Sequence, residues 1–140
     1  MTEPIWPDAP RYGPKDPFPP VAFISGRTPR PSDSPALPPE DAFLRGIDLY
    51  HAGYLWEAHE QWESVWRASS DPVQRDFLQG LVQIAASVLK ARSGNARGAA
   101  KLAKRARDHL ARVDLDRCFG LEVAPLRAFD GDPPRLLLAP

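Results

Sequence analysis

The distribution of proline divides this chain into two parts that must fold differently. Twelve of the 17 prolines lie between residues 4 and 39. Because each proline removes a backbone donor and clashes with the preceding turn, no regular helix can run through that segment. We therefore predict an extended, partly polyproline arm over residues 1–38 and a helical bundle domain over residues 39–140.

The arm carries more large apolar side chains than a solvated tail usually does. These residues are Ile5, Trp6, Tyr12, Phe18, Val21, Phe23 and Ile24. Segments that stay disordered are typically poor in such groups, because they have no core in which to bury them. We expect the arm to lie packed along the helices, and the alternative is a disordered tail.

Beyond Pro39 the apolar residues recur at helical spacing, and no stretch alternates as a strand would. This pattern predicts an all-α chain, a compact bundle of four to five helices. The expected helices cover residues 39–51, 54–68, 72–92 and 96–112, with a short fifth helix over 122–129. Gly53 is placed to end the first helix in a left-handed conformation. Asp71, Pro72 and Gln74 form the pattern of an N-cap with a capping box.

Charge and cysteine content limit the partners and the location. The 18 basic and 18 acidic side chains give no net charge, so no overall field favours nucleic acid or an anionic membrane. The single cysteine, Cys118, cannot form an internal disulfide, and we expect a reducing, cytoplasmic setting. The first residues lack the pattern of a signal peptide. The longest apolar stretch, residues 81–89, is too short to span a bilayer.

A segment rich in tryptophan and glutamate, residues 53–66, contains the groups best suited to chemistry. His59 and Glu63 share a helix face, and such a pair can ligate a metal or act as a base with its orienting acid. Two helical metal motifs are present only in part. In the zinc motif His-Glu-x-x-His, Glu63 replaces the second histidine, and in the di-iron motif Glu-x-x-His, Trp56 replaces the glutamate. We predict no metal, and His59 and Glu63 as its ligands if one binds.

Two glutamines, Gln79 and Gln83, lie one turn apart on the third helix, which is otherwise apolar. A buried amide must be hydrogen-bonded, because an unpaired one costs about 1–3 kcal/mol. These amides can therefore meet the carboxylates of the second helix in a polar pocket. That pocket would consist of His59, Glu60, Glu63, Gln79 and Gln83. The alternative is a solvent-facing stripe shared with Asp76 and Lys90.

The other aromatic and titratable residues have structural interpretations. Trp62 and Trp66 lie on the core face of the second helix, whereas Trp56 lies off it and is expected to contact the arm or a partner. Glu57 and Glu60 are expected to point away from the core. The remaining histidines, His51 and His109, have no spaced partner and are expected to be ordinary surface or cap residues. Cys118 has no adjacent base and is not expected to act as a nucleophile.

The fourth helix is strongly basic. Residues 90–117 carry nine basic and three acidic side chains, whereas residues 40–63 carry six acidic and one basic. Packing of complementary helices explains this contrast without a partner. Nucleic-acid binding is the less favoured explanation, because no aromatic residue is interleaved with the basic ones.

About residues 42–112 of the chain resemble a prokaryotic family without an assigned activity, known as domain of unknown function 309. The resemblance rests on Gly53-Tyr54, Glu57-Ala58-His59-Glu60, Glu63, Trp66, Phe77-Leu78-Gln79-Gly80-Leu81, Gln83, Gly94-Asn95 and Gly98-Ala99. It implies a small helical bundle and no particular catalytic or binding residues. His51 departs from the asparagine expected in this family, and the arm lies outside the resemblance.

These features favour a binding or scaffold module that self-associates as a homo-oligomer. The first alternative is a small metal-dependent or hydrolase-type enzyme with a pocket centred on His59 and Glu63. The second is nucleic-acid binding through the basic fourth helix, with no membrane association in any of the three. The sequence identifies no catalytic residue, cofactor or small-molecule ligand.

Overall fold

The computed structural model describes residues 3–19 and 37–139. The expectation that Val21, Phe23 and Ile24 pack on the helices concerns residues outside these ranges. The elements in chain order are α1 (Pro39–His51), α2 (Leu55–Ala68), α3 (Pro72–Arg92), α4 (Ala96–Leu110), β1 (Arg117–Cys118), β2 (Leu121–Glu122) and α5 (Ala124–Arg127). The predicted all-α bundle is confirmed in its four long helices. The fifth helix is only four residues long.

Short loops join the four long helices, so consecutive helices are antiparallel neighbours. The structure packs α1 on α2, α2 on α3, and α3 on α4. The apolar α3 thus lies between two partners, as its wide apolar surface requires. The largest side chains with almost no exposure are Trp62, Tyr50, Phe77, Ile47, Leu55, Leu78, Leu81, Ile84 and Leu110.

Glycines and an aspartate set the helix boundaries. Gly53 follows α1 with a φ of 91°, which confirms the left-handed conformation expected there. A Cβ at this position would lie 2.2 Å from the carbonyl oxygen of Glu3, so the arm also requires glycine. Asp71 caps α3, since its Oδ1 accepts a hydrogen bond from the N–H of Val73 at 2.9 Å. The Gln74 side chain accepts from Ser69 instead of closing a reciprocal capping box.

A two-stranded antiparallel hairpin, β1–β2, was not expected from the sequence. Cys118 pairs with Leu121 across it, and both are buried. Phe119 and Gly120 form its turn with φ of 52° and 80°, as a tight two-residue hairpin demands. Strands of two residues are too short to show an alternating pattern, so the sequence does not predict them. The Phe119 ring stacks on Phe43 at a centroid distance of 4.8 Å.

The described part of the arm lies on α1 and is held through its backbone. The Asp48 carboxylate accepts hydrogen bonds from the N–H groups of Tyr12 and Gly13, both at 2.8 Å. Arg45 donates to the carbonyl of Asp16 at 2.7 Å. A chain rich in proline offers few N–H groups, and Asp48 binds two of those that remain.

The C-terminal tail lies against the same end of α1. The Tyr50 hydroxyl donates to the carbonyl of Pro134 at 2.7 Å. The N–H of Leu136 donates to Nε2 of His51 at 2.9 Å, and the N–H of Leu138 donates to the Tyr12 hydroxyl at 3.3 Å. Helix α1 therefore carries segments from both ends of the chain.

Within the described ranges, no helix is both long enough and apolar enough to cross a bilayer.

Candidate functional site

The pair predicted on α2 forms. Nε2 of His59 lies 3.0 Å from Oε1 of Glu63, and Nδ1 lies 3.7 Å from Oε1 of Glu60. The second oxygen of Glu63 lies 3.4 Å from the Arg67 guanidinium. The ring of Trp56 packs beside the imidazole at 5.2 Å. The imidazole thus contacts side chains of its own helix, but only the Glu63 contact is within hydrogen-bond distance, and Nδ1 is buried without a hydrogen-bond partner among the described residues.

No group of three or more histidine, cysteine, aspartate or glutamate residues that could hold a metal ion is found among residues 3–19 and 37–139. His59 and Glu63 could supply two ligands to a metal ion, but the described residues provide no third ligand beside them.

The two glutamines of α3 are joined to each other. Nε2 of Gln83 donates to Oε1 of Gln79 at 3.4 Å, and both side chains are half-buried. Gln79 also lines an open cleft, so this amide pair extends from the cleft along α3.

That cleft lies where α2, α3 and α4 meet, and its volume is about 450 Å³. Its lining residues are Trp66, Pro72, Arg75, Asp76, Gln79 and His109. Trp66 was expected in the core; it packs against the buried cluster but is only half-buried, because it also lines this cleft.

Arg75 of α3 is held against the C-terminal end of α2, where it lines the cleft. Its guanidinium lies over the Trp66 ring, 4.0 Å from the centroid. Its Nη1 donates to the carbonyls of Trp66 and Ser69, each at 2.9 Å. A cation stacked on an indole and bonded to the last carbonyls of a helix is stabilised by both contacts. Arg75 is consequently held in one position before any ligand binds.

Asp76 and His109 form the opposite wall. Nδ1 of His109 lies 3.0 Å from Oδ1 of Asp76, and the Arg112 guanidinium lies 3.4 Å from the same oxygen. The side chains of His109 and Asp76 are 29% and 26% exposed, so solvent still reaches them. Sequence reasoning treated His109 as an ordinary surface or cap residue, because its partner lies on another helix, 33 residues away. Only the pairing of α3 with α4 could have revealed it.

His51 was also expected at the surface or in a cap, and this prediction is wrong. The side chain is only 3% exposed, because the arm and the C-terminal tail cover this end of α1. Burial lowers the pKa of His51 to about 4, although the nearby Asp48 acts in the opposite direction. The ring is therefore neutral at ordinary pH and accepts the N–H of Leu136. Its role is structural.

The remaining expectations concern side chains of α2 and the hairpin. Glu57 was expected to point away from the core, but this prediction is wrong, because its side chain is only 6% exposed. Glu60 is exposed, as expected. Burial raises the pKa of the Cys118 thiol to about 11, so the thiol stays protonated, which fits the expectation that it is not a nucleophile. The contact of Trp56 with the arm remains a prediction.

The basic residues of α4 are mostly exposed. Those in contact with solvent are Arg97, Lys101, Lys104 and Arg105, and Arg112, which follows the helix, is exposed as well. In the described ranges, ion pairs join Lys104 to Asp108 and Arg112 to Asp76. The expected pairing with the acidic residues of α1 and α2 is therefore wrong there, because α4 packs on α3 instead.

The model of the family described as Domain of unknown function (DUF309) matches residues 43–102. This match confirms the resemblance that the sequence indicated. It covers α2 and α3 completely and includes Trp66, Arg75, Asp76 and Gln79 of the cleft, whereas His109 lies beyond it. Neither the comparison with curated proteins nor the comparison with solved structures gives a match.

Proposed function

We propose that residues 43–102, the segment matched by the family of unknown function, form the main part of a ligand-binding module, with His109 of α4 completing its site. One observation carries the proposal: side chains of three helices converge on one open cleft of about 450 Å³. Ligand sites in proteins are typically clefts of roughly 300–1,000 Å³ with apolar walls and a few placed polar groups.

The polar groups of the cleft are held in place by contacts within the protein. Arg75 is fixed by Trp66 and by two carbonyls, and His109 is fixed by Asp76. Binding to groups already in position loses less conformational entropy than binding to mobile ones. The cleft is therefore suited to recognition without a rearrangement of the helices.

The register of α2 and α3 supports a longer site. Trp66 and Gln79 line the same cleft, and the two helices are antiparallel neighbours. One turn back along α2 from Trp66 is Glu63, and one turn forward along α3 from Gln79 is Gln83. We propose that the polar pocket expected from the sequence, including His59 one turn further back, extends the cleft along this seam.

A fragment screen observed by amide NMR tests the binding module. Compounds that bind should shift the signals of residues 75, 76, 79 and 109 together. Trp66→Ala should abolish these shifts, because it removes the apolar wall of the cleft. Lys101→Gln, an exposed change elsewhere on α4, should leave them intact. A screen whose hits all map outside the cleft, or that yields no hit, would overturn the proposal.

The second candidate is a small metal-dependent or hydrolase-type enzyme centred on His59 and Glu63. The 3.0 Å contact between these side chains favours it, because a base and its orienting acid require such a distance. Metal analysis of the wild type and of His59→Ala distinguishes the two. Stoichiometric metal in the wild type that is lost in His59→Ala would favour the metal-dependent enzyme, and no metal in either protein would remove that form of the candidate.

A further inference from the structure

The charges around the cleft are unbalanced. Arg75 lines it, Arg112 stands beside it, and Asp76 is its single carboxylate among the described lining residues. Oδ1 of Asp76 is already contacted by both Arg112 and His109. A ligand entering the cleft therefore meets a surplus of positive charge.

The hydrogen-bond donors of the cleft are only partly used. Arg75 bonds to carbonyls through Nη1, so Nε and Nη2 have no hydrogen-bond partner among the described residues. Nδ1 of His109 faces the Asp76 carboxylate and therefore donates to it, whereas Nε2 has no partner among the described residues. Nε2 is a second donor when the imidazole carries both protons. A guanidinium presents its N–H groups as a planar fork that matches the oxygens of a carboxylate or phosphate.

The remaining walls are apolar. The indole of Trp66 and the ring of Pro72 both line the cleft. Arg75 lies over the Trp66 ring, so its guanidinium is next to this apolar surface. A ligand that spans both needs a flat apolar body with a charged group at one end.

We propose that the cleft binds a small organic anion, a carboxylate or phosphate group carried on a flat apolar body. The anionic oxygens would bond to Nε and Nη2 of Arg75 and, when the imidazole carries both protons, to Nε2 of His109, while the apolar body lies against Trp66 and Pro72. The proposal rests on the proposed function, because it names the chemical class of ligand for the same cleft. A cationic ligand is disfavoured, because Asp76 already faces two basic side chains.

Four probes of nearly equal size test the class of ligand: benzoate, phenyl phosphate, benzamide and benzylamine. Each is titrated into the full chain while the amide signals of the cleft and the ring signal of His109 are recorded. We expect benzoate or phenyl phosphate to bind with a Kd on the order of millimolar, as for other fragments, and at least about tenfold more tightly than benzamide or benzylamine. The stronger of the two anions shows whether the natural group is a carboxylate or a phosphate.

Three variants locate the binding. Arg75→Lys keeps the charge but removes the fork. His109→Gln replaces an imidazole that is a charged donor when it carries both protons with a neutral amide, and each variant should weaken anion binding about fivefold or more. Lys104→Gln removes a charge from an exposed position of α4 outside the cleft lining and should change little. The amide spectrum of each variant verifies that it is folded.

The outcomes separate this inference from the proposed function. Equal binding of benzamide, benzylamine and benzoate at the cleft would overturn the anion class but keep the cleft as a site. Anion binding that survives both Arg75→Lys and His109→Gln would overturn it as well. If no probe shifts cleft signals although the fragment screen yields cleft hits, only the anion inference fails, whereas failure of both experiments removes the site.

Discussion

The three histidines of this chain differ in what their ring nitrogens face. His51 is buried and accepts a backbone N–H. His59 lies between two carboxylates of its own helix, and His109 faces one carboxylate of another helix and an open cleft. The same side chain thus serves as an internal acceptor, as a partner of carboxylates on its own helix and as a wall of a site, and only the neighbours decide which.

The buried neutral state of His51 makes stability depend on pH. Its pKa is lowered from 6.5 to about 4 in the folded protein, so the unfolded chain takes up the proton first as the pH falls. Stability from this group is complete above about pH 6.5 and is lost on acidification toward about pH 4, by roughly 3 kcal/mol in all. Urea unfolding at several pH values between 7 and 4 measures it.

The control for this prediction is His51→Gln. The glutamine amide oxygen can reach the position of Nε2 and accept the N–H of Leu136, but it does not titrate. Taking the difference in unfolding free energy between wild type and variant removes the effect of the other titrating groups. Below pH 6 the wild type should lose stability relative to the variant. A difference that is constant with pH would contradict the prediction.

At the scale of elements, the close packing of α3 on α4 depends on small residues. A Cβ at Gly80 would lie 2.5 Å from Cδ2 of Leu110, a side chain without exposure. Ser87 of α3 donates to the carbonyl of Ala99 at 2.7 Å, which also requires the helices to be near each other. The close packing of α3 on α4 also brings His109 of α4 beside Asp76 of α3.

We predict that Gly80→Ala destabilises the protein by about 1–2 kcal/mol, although alanine is the better helix former by about 1 kcal/mol. The clash dominates because Leu110 has no free space in which to move. A double-mutant cycle with Leu110→Ala, measured by thermal or urea unfolding, isolates the contact. The double variant should lose less stability than the sum of the single ones. Simple additivity would show that the steric explanation is wrong.

At the scale of the whole molecule, α1 receives segments from both ends of the chain. The Asp48 carboxylate, with no exposed surface, binds the arm at Tyr12 and Gly13, while Tyr50 and His51 bind the C-terminal tail. These contacts are made largely with backbone groups, so they require an extended chain more than particular side chains. The arm and the tail together cover the end of α1 that carries Asp48, Tyr50 and His51.

Asp48→Ala should therefore loosen the arm. It leaves two backbone N–H groups without their acceptor, and hydrogen bonds to a charged group contribute about 1.5–3 kcal/mol each. We expect trypsin to cleave after Arg11 and Lys15 severalfold faster than in the wild type, because the protease needs a detached, extended backbone. Asp108→Ala, which changes an exposed carboxylate of α4, should not alter that rate. Equal cleavage rates in wild type and Asp48→Ala would show that Asp48 does not hold the arm.

Local sequence patterns sufficed for the helices and for the pair within α2. The bounds of α1 and α3 agree with the predicted ones, since proline, glycine and N-cap chemistry act over a few residues. His59 and Glu63 meet because a helix brings residues four apart together. The hairpin at 117–122 escaped prediction because its strands contain two residues each.

The sequence by itself determined the helical bundle, the bounds of α1 and α3, and the resemblance to a family of unknown function. Only the tertiary structure decided that His51 is buried, that Trp66 faces a cleft, and that His109 meets Asp76. The physical reason is the separation along the sequence between the residues that determine each feature. Helix periodicity and capping depend on neighbours within one or two turns, whereas burial and the cleft depend on which segments α1, α3 and α4 receive from distant parts of the chain.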